Sequence, residues 1–266
     1  MPSWANRYGP WAMITGAAMG LGKAYAEALA DRGLSLLLVD VAEPELNATA
    51  DLLARRTSVR TAAIDLGSPE AAAALEDACA GLELGLAVHC AAVCPIGPFL
   101  ETDRPTHERT LAVNVAGTLA VAHVAGRRLV HQKRGGLVLV SSGSALSGSP
   151  LVANYAATKG YIATLALSLA AELDPAGVDV MAVCPGMIRT PATEADPPRL
   201  DRAPWVRMLD AERVAAESLD DLGRRAVSIP GGLGERLGLQ IMSLLPRRAA
   251  LRILSTTMDR LYGHRR

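Results

Sequence analysis

Short apolar runs alternate along the chain with longer segments whose apolar residues recur at helical spacing. The short runs predict buried strands at residues 11–15, 34–39, 60–64, 85–90, 136–141 and 178–184. The longer segments predict helices near residues 21–32, 44–56, 69–80, 105–131, 154–172 and 210–223. This alternation predicts an α/β fold, a doubly wound parallel sheet with helices on both faces and ligands at the carboxyl ends of its strands.

A glycine-rich turn follows the first predicted strand. Residues 15–22 read Thr-Gly-Ala-Ala-Met-Gly-Leu-Gly, with glycines at 16, 20 and 22. Glycines let the backbone approach a pyrophosphate closely, and the N-terminus of the next helix presents N–H donors and a positive dipole. A strand, a glycine turn, a helix and a second strand within about thirty residues predict a dinucleotide site.

Asp40 ends the second predicted strand and bears on which nucleotide binds. A carboxylate at this position accepts two hydrogen bonds from the ribose diol of NAD(H) and repels the 2′-phosphate of NADP(H). No Arg or Lys occupies residues 16–22 or 41–42 to offset that charge. The sequence therefore favours NAD(H) over NADP(H). A solvated turn residue is the alternative interpretation of Asp40.

Tyr155 and Lys159 stand four residues apart in a predicted helix, so their side chains lie on the same face. A phenol has an ordinary pKa of about 10, and a nearby fixed positive charge lowers that pKa. The pair is then suited to move a proton to or from an oxygen that the Ser142 hydroxyl holds. Lys159 is one of only three lysines beside twenty-four arginines, which indicates a need for a compact ammonium. The alternative is an amphipathic helix with a packed Tyr and an exposed Lys.

Together these features resemble the short-chain dehydrogenase/reductase family. The resemblance rests on the turn at residues 15–22, Asn114, Ser142, Tyr155 and Lys159. It implies a Rossmann fold. By resemblance, Tyr155 is the catalytic acid/base, and Lys159 binds the nicotinamide ribose and lowers the pKa of the tyrosine. Ser142 positions the substrate oxygen, and Asn114 supports a water-linked proton relay.

The same resemblance implies where the nucleotide binds. Asp65 and Leu66 hold the place of an adenine contact, and residues 184–190 match a segment that lines the nicotinamide. The implied cofactor contacts are Gly16, Met19, Gly20, Leu21, Gly22, Asp40, Asp65, Leu66, Cys90, Ala91, Ala92, Tyr155, Lys159, Pro185, Gly186, Ile188 and Thr190. Residues 89–92 depart from the family, because they read His-Cys-Ala-Ala where many members have Asn-Asn-Ala-Gly. We expect His89 to be a structural hydrogen-bonding residue.

The N-terminal part of the chain looks most like a branch that holds hydroxysteroid dehydrogenases and 3-ketoacyl-CoA reductases. Those relatives usually carry a basic residue near position 40 and prefer NADPH, so Asp40 departs from the branch. The leading hypothesis is an NAD(H)-dependent oxidoreductase that interconverts a secondary alcohol and a ketone on a fairly apolar small molecule. The alternatives are an NADPH-dependent reductase of 3-ketoacyl thioesters or steroid ketones, and a non-catalytic NAD-binding sensor or scaffold.

Composition and charge exclude several classes of protein. The formal net charge is +0, which argues against a nucleic acid partner because phosphate binding needs a basic excess. The long uncharged stretches at 84–100 and 135–158 are interrupted by Gly, Pro or Ser, unlike a membrane span. The N-terminus lacks an apolar signal segment, so a cytoplasmic location is expected. Four cysteines without a CxxC spacing predict reduced thiols and no metal site.

The sequence predicts a single domain over residues 1–266, with its nucleotide-binding and catalytic core at 10–190. By resemblance, residues 191–232 hold a substrate lid and the last helix and strand. Residues 233–266 alternate Leu, Ile and Met with Arg and are split by Pro246, which predicts two short amphipathic helices. This tail either makes a peripheral contact with a membrane or covers a lipid-like substrate, or it packs across the substrate cleft or a neighbouring subunit.

The helix that contains Tyr155 is rich in small residues. They are Ala156, Ala157, Gly160, Ala163, Ala166 and Ser168. By family resemblance, such a helix pairs with its copy in another subunit, so a homodimer or homotetramer is expected. The alternative is that the small residues only let the helix sit close to its own sheet.

Overall fold

The computed structural model describes residues 4–146 and 148–263. The main parallel sheet consists of β1 (Trp11–Thr15), β2 (Ser35–Asp40), β3 (Val59–Ala63), β4 (Leu84–His89), β5 (Gly135–Val140), β6 (Val178–Val183) and β9 (Val227–Ser228). A small second parallel sheet pairs β7 (Met187–Arg189) with β8 (Met208–Asp210). The spatial order in the main sheet is β3-β2-β1-β4-β5-β6-β9. The predicted doubly wound α/β fold is therefore confirmed.

Helices cover both faces of the main sheet. They are α1 (Trp4–Tyr8), α2 (Gly20–Asp31), α3 (Glu43–Leu53), α4 (Ala71–Ala78), α5 (Arg104–Leu111), α6 (Gly117–Gln132), α7 (Ala153–Leu173), α8 (Pro191–Ala195), α9 (Ala211–Asp221), α10 (Leu233–Leu244) and α11 (Arg247–Tyr262). Short 3₁₀ turns lie at Gly143–Leu146, Asp174–Ala176 and Leu200–Arg202. The single helix predicted at 105–131 is interrupted, because a π-helical turn at Ala112–Ala116 joins α5 to α6.

The central strands are buried on both faces, which explains their nearly continuous apolar sequences. On β1, Ala12 and Ile14 belong to a core shared with α2 and α9. Met13 points to the opposite face, into a second core shared with α4 and α6. Because both faces are filled with apolar side chains, polar groups that act on a ligand must lie at the ends of the strands.

A crevice forms where the order of the strands reverses. The chain passes from β1 outward to β2 and β3, and then returns to the other side of β1 to build β4, β5 and β6. In such sheets, ligands bind outside the carboxyl ends of the strands at the reversal. Thr15 and His89 are register partners at this edge of β1 and β4. Asp40 ends β2 beside them, and Ser142 and Gly186 follow β5 and β6.

The C-terminal tail forms the two predicted helices, with Pro246 between them. α11 packs through Leu261 and Tyr262 against Leu151 and other residues of this same chain. Exposed apolar side chains also occur on the tail, including Leu237 on α10. In the parts of the chain that the structure describes, no helix is both long and apolar enough to cross a bilayer. Peripheral membrane contact stays a prediction.

Candidate active site

The turn between β1 and α2 requires glycine for steric reasons. Gly16 has a φ of +69°, and a Cβ there would lie 2.8 Å from the backbone nitrogen of Ala91. A side chain on Gly22 would collide with the carbonyl oxygen of Gly16. A Cβ on Gly20 would lie 3.2 Å from Cγ2 of Thr190. The glycines thus bring the N-terminus of α2 close to the loops after β4 and β7, where an anionic group can approach its N–H donors.

An open cavity of about 370 Å³ lies beside this turn. Its lining includes Gly20, Lys23, Arg189 and Thr190. Lys23 and Arg189 bring positive charge to the N-terminus of α2, although Arg189 also pairs with Asp210 at 3.5 Å. The same lining also carries four acids, Glu27, Glu194, Asp210 and Glu212. The cavity therefore offers N–H donors and two cations to a pyrophosphate, without a net positive charge.

Asp40 is held in place by the backbone of its neighbours. Its Oδ2 accepts a hydrogen bond from the nitrogen of Ala18 and its Oδ1 accepts one from the nitrogen of Ala42, both at 3.0 Å. Each carboxylate oxygen has a further lone pair. The carboxylate is thus oriented at the carboxyl end of β2 and retains the capacity to accept hydrogen bonds from a ribose diol.

Asp65 forms an ion pair with Arg109, which belongs to none of the sequence motifs. The Arg109 guanidinium donates to both Asp65 oxygens, at 2.9 and 2.7 Å, and the nitrogen of Gly67 donates at 2.8 Å. The hydrogen bonds from Arg109 hold the pKa of Asp65 below its ordinary value. An adenine that contacts Asp65 must therefore share the carboxylate with the Arg109 guanidinium.

The side chains of Leu21 and Leu66 are buried in the two apolar cores. A nucleotide can reach these two residues through their main chain only. Elsewhere at this edge, the carbonyl oxygen of Pro185 accepts from the nitrogen of Gly143 at 2.8 Å. That bond ties the segment after β6 to the loop after β5, so the predicted nicotinamide segment lies beside Ser142.

Tyr155, Ser142 and Lys159 come together at the carboxyl edge. The Ser142 hydroxyl lies close enough to Tyr155 to lower the pKa of the phenol, and Lys159 Nζ lies 5.5 Å from the centroid of the Tyr155 ring. Lys159 is buried, and its ammonium donates to the carbonyl oxygen of Val140 at 2.8 Å. The predicted proximity of the three side chains is observed, and the alternative of an exposed lysine is wrong.

The direction of the Tyr155 pKa differs from the expectation. Burial raises it, the neighbouring Cys94 thiol adds to the rise, and the hydrogen bond from Ser142 opposes it. Burial also lowers the pKa of Lys159 to about 8. The expected lowering of the tyrosine pKa by the lysine is not found, because desolvation disfavours the charged form of both groups and sets the direction of both shifts.

Asn114 connects three elements of the site. Its Oδ1 accepts from the nitrogen of Val93 and its Nδ2 donates to the carbonyl oxygen of Val93, both at 2.9 Å. Nδ2 also donates to Thr158 Oγ1 at 3.1 Å. Through these bonds the π-helical turn holds the loop after β4 against α7. A part for Asn114 in a proton relay stays a prediction.

His89 is fully buried between two threonines. Its Nδ1 lies 2.8 Å from Thr15 Oγ1, and its Nε2 lies 2.9 Å from Thr118 Oγ1. Burial lowers its pKa to about 3, with the charge of Lys159 as a second cause. The imidazole is therefore neutral, with one nitrogen donating and the other accepting. This arrangement agrees with the structural role expected from the sequence.

Replacing His89 with Asn is expected to reduce the loss of stability in acid. The unfolded chain protonates His89 near 6.5, whereas the folded protein does so only near 3. The contribution of His89 to stability is complete above pH 6.5 and falls, as the pH decreases toward 3, by up to about 1.4 kcal/mol per pH unit. Asn offers a donor and an acceptor without a proton to bind in this range.

Urea unfolding at a series of pH values between 7 and roughly 4.5 measures this effect. His123→Asn is the matched control, because His123 is exposed on α6. We expect the control to keep the pH slope of the parent protein and His89→Asn to flatten it. An equal slope in all three proteins would contradict a neutral buried His89.

Comparison with known proteins places this geometry in a family. The short chain dehydrogenase family model matches residues 10–200. A very-long-chain 3-oxoacyl-CoA reductase-like protein of Arabidopsis thaliana is 34% identical over 71% of this chain, and the chain spans 63% of that relative's length. A 7beta-hydroxysteroid dehydrogenase of Collinsella aerofaciens is 31% identical over 85% of this chain and 88% of that protein.

Solved structures agree with these matches. A 7beta-hydroxysteroid dehydrogenase superposes with a TM-score of 0.88 at 27% identity, over 95% of this chain and 99% of the other. A short-chain dehydrogenase of Sphingobium yanoikuyae in complex with NADPH has a TM-score of 0.78 at 26% identity, over 89% and 96% of the two chains. Because the family match covers most of the sequence and the fold agrees with it, this chain belongs to the short-chain dehydrogenase family of oxidoreductases.

Proposed function

We propose that this protein is an NAD(H)-dependent oxidoreductase that interconverts a secondary alcohol and a ketone on a fairly apolar small molecule. The observation that carries the proposal is the meeting of Tyr155, Ser142 and Lys159 at the sheet edge that also bears the glycine turn and Asp40. The site thus combines a proton carrier, a hydroxyl that can hold a substrate oxygen and a cradle for a dinucleotide.

The residues around the glycine turn fit a nicotinamide dinucleotide. A Cβ at Gly16 or Gly22 would collide with backbone atoms, so these glycines permit the tight turn. The turn leaves the N-terminus of α2 open beside Lys23, where its N–H donors can meet a pyrophosphate. When bound, the cofactor supplies or takes up the hydride. The contribution of the protein is to bind, orient and exchange the proton.

Tyr155 is the proposed proton carrier at the substrate oxygen. Its raised pKa keeps the phenol protonated at neutral pH, so it can donate to a ketone oxygen as that oxygen gains negative charge. In the direction of alcohol oxidation the phenol must first lose its proton, and the nearby ammonium of Lys159 favours that loss. The Ser142 hydroxyl, which already meets the phenol, would hold the same substrate oxygen.

Asp40 supports NAD(H) as the preferred nucleotide. Its carboxylate is oriented by two backbone donors, and a 2′-phosphate would meet that negative charge. Relatives named for 3-oxoacyl-CoA and hydroxysteroid chemistry and a structural relative in complex with NADPH support NADPH-dependent reduction as the second candidate.

We also propose a homodimer or homotetramer. Leu111, Leu119 and Leu167 are exposed on α5, α6 and α7, and burying these side chains against another subunit would be favourable. Within the small-residue stripe of α7, Ala156 and Ala166 are buried against their own protein, so only part of that stripe is free to contact another subunit.

Parallel fluorescence titrations with NADH and NADPH test the nucleotide choice, and a panel of secondary alcohols that includes a 7β-hydroxysteroid tests turnover. We expect NADH to bind at least about tenfold more tightly than NADPH, and at least one alcohol to be oxidised. Tighter NADPH binding would favour the ketone reductase. NADH binding without turnover of any alcohol or ketone would favour the sensor.

A further inference from the structure

A third apolar cluster lies outside the two cores of the sheet. Its buried members are Leu151, Ala203, Leu261 and Tyr262, and its partly buried members are Ile96, Leu200, Met187, Val206 and Met258. The cluster joins five segments of the chain: the loop after β4, the loop before α7, β7, the expected lid and α11. The contacts between these segments are not local, so the cluster forms only when the segments are in place.

The cluster borders the catalytic residues. Leu151 precedes Tyr155 by four residues, and Met187 follows Gly186 directly. Ile96 lies in the loop that Asn114 holds against Thr158 of α7. The cluster therefore forms an apolar wall beside the proposed reaction site.

Helix α11 is tied to the expected lid by two further contacts. The nitrogen of Arg199 in the lid donates to the carbonyl oxygen of Leu261 at 3.1 Å. The Arg260 guanidinium lies 4.8 Å from the centroid of the Trp205 ring, a distance at which the cation and the ring attract each other. Consecutive residues at the end of α11 thus contact both ends of the segment 199–205.

Leu151 is held in a backbone conformation that leucine rarely adopts. Its φ is +65°, in the left-handed region that favours glycine. Its side chain is buried against α11 and the lid, and its carbonyl oxygen accepts from the nitrogen of Gly97 at 2.8 Å. Burial of the Leu151 side chain in the cluster therefore offsets the cost of this backbone conformation.

We propose that α11 clamps the lid against Leu151, so that the C-terminal helix is a specificity-determining element of its own active site. By fixing the lid, the clamp shapes an apolar wall that fits a bulky alcohol or ketone and adds little for a small one. Leu151, Leu261 and Tyr262 are positioning residues in this scheme. The part that concerns substrates rests on the proposed function, whereas the clamp itself does not.

Amide hydrogen exchange across residues 191–206 tests the clamp without any substrate. The variants are Leu261→Ala and Met258→Ala, and the matched control is Leu251→Ala, because Leu251 lies on the same helix and is exposed. We expect exchange in the lid to be about tenfold faster in the first two variants and unchanged in the control. Equal lid exchange in all three and in the parent protein would overturn the clamp. Met258→Ala, a change at a partly buried position, serves if Leu261→Ala fails to fold.

Leu151→Gly separates the side chain from the backbone conformation. Glycine adopts the φ of residue 151 without strain, so this variant keeps the loop while losing the contact with α11. We expect its lid to exchange as fast as that of Leu261→Ala. Exchange as slow as in the parent protein would show that the Leu151 side chain does not hold the lid.

Kinetics with two alcohols test the effect on specificity. For a 7β-hydroxysteroid, we expect Leu261→Ala to raise KM about tenfold with kcat nearly unchanged, since the wall contributes binding rather than chemistry. For 2-propanol, and for the Kd of NADH, we expect little change. An equal loss with both alcohols would overturn the specificity role. If no alcohol is turned over, the proposed function fails while the exchange data still decide the clamp.

Discussion

Tyr155→Phe is expected to lower kcat by a factor of about 10² to 10⁴, which is the range that general acid–base catalysis contributes. The substitution removes the hydroxyl that meets Ser142 and keeps the ring beside Lys159. The shape of the site is thus preserved while the proton carrier is lost. The NADH dissociation constant should therefore change little. Initial rates at saturating nucleotide, together with a fluorescence titration, measure both quantities.

Tyr161→Phe is the matched control for this experiment. Tyr161 lies on the same helix α7 and packs against the core on its sheet side, so loss of its hydroxyl should leave kcat nearly unchanged. Near-normal turnover in Tyr155→Phe would overturn the assignment of Tyr155 as the acid/base. A loss of NADH binding to the same extent as the loss of turnover would point instead to a disrupted nucleotide site.

Asp40→Ala is expected to shift the preference between NADH and NADPH by about 100-fold toward NADPH. Hydrogen bonds to a charged group contribute roughly 1.5–3 kcal/mol, and each 1.4 kcal/mol is a factor of ten in affinity. The loss of the carboxylate should weaken NADH binding and remove repulsion of the 2′-phosphate. The ratio of the two dissociation constants measures this shift.

Two further variants identify the cause of the shift. Asp40→Asn removes the charge and keeps an oxygen that can accept from Ala18 or Ala42, as Asp40 does now. It should relieve the repulsion with less damage to the turn. Asp51→Ala is the control, because Asp51 is an exposed acid on α3. An unchanged nucleotide ratio in Asp40→Ala would refute the role of Asp40 as the selector.

The fold follows largely from local patterns in the sequence. Each central strand of the sheet is visible as a short apolar run because it is buried on both faces, and most of the long helices show their own apolar period. Other features leave no such pattern. The π-helical turn at Ala112–Ala116 joins α5 directly to α6, and β7, β8 and β9 have only two or three residues each, too few to show a period.

The pKa values and ion pairs of the site residues could not be predicted from the sequence as well as the fold could. The spacing of Tyr155 and Lys159 correctly predicts that the two side chains meet, but it predicts a lowered pKa for Tyr155, whereas burial raises it. The pairing of Asp65 with Arg109 also has no signal in the motifs, because forty-four residues separate the two. Both outcomes depend on what else surrounds a group after folding.

By itself, the sequence determined the alternation of strands and helices, the glycine turn and the order of the motif residues, because these rest on local periodicity and on steric demands of single residues. Only the tertiary structure decided that α11 packs on Leu151, that Arg109 shares Asp65 and that His89 is neutral between Thr15 and Thr118. These features arise from contacts between distant segments and from the removal of water around buried groups, which no short stretch of sequence encodes.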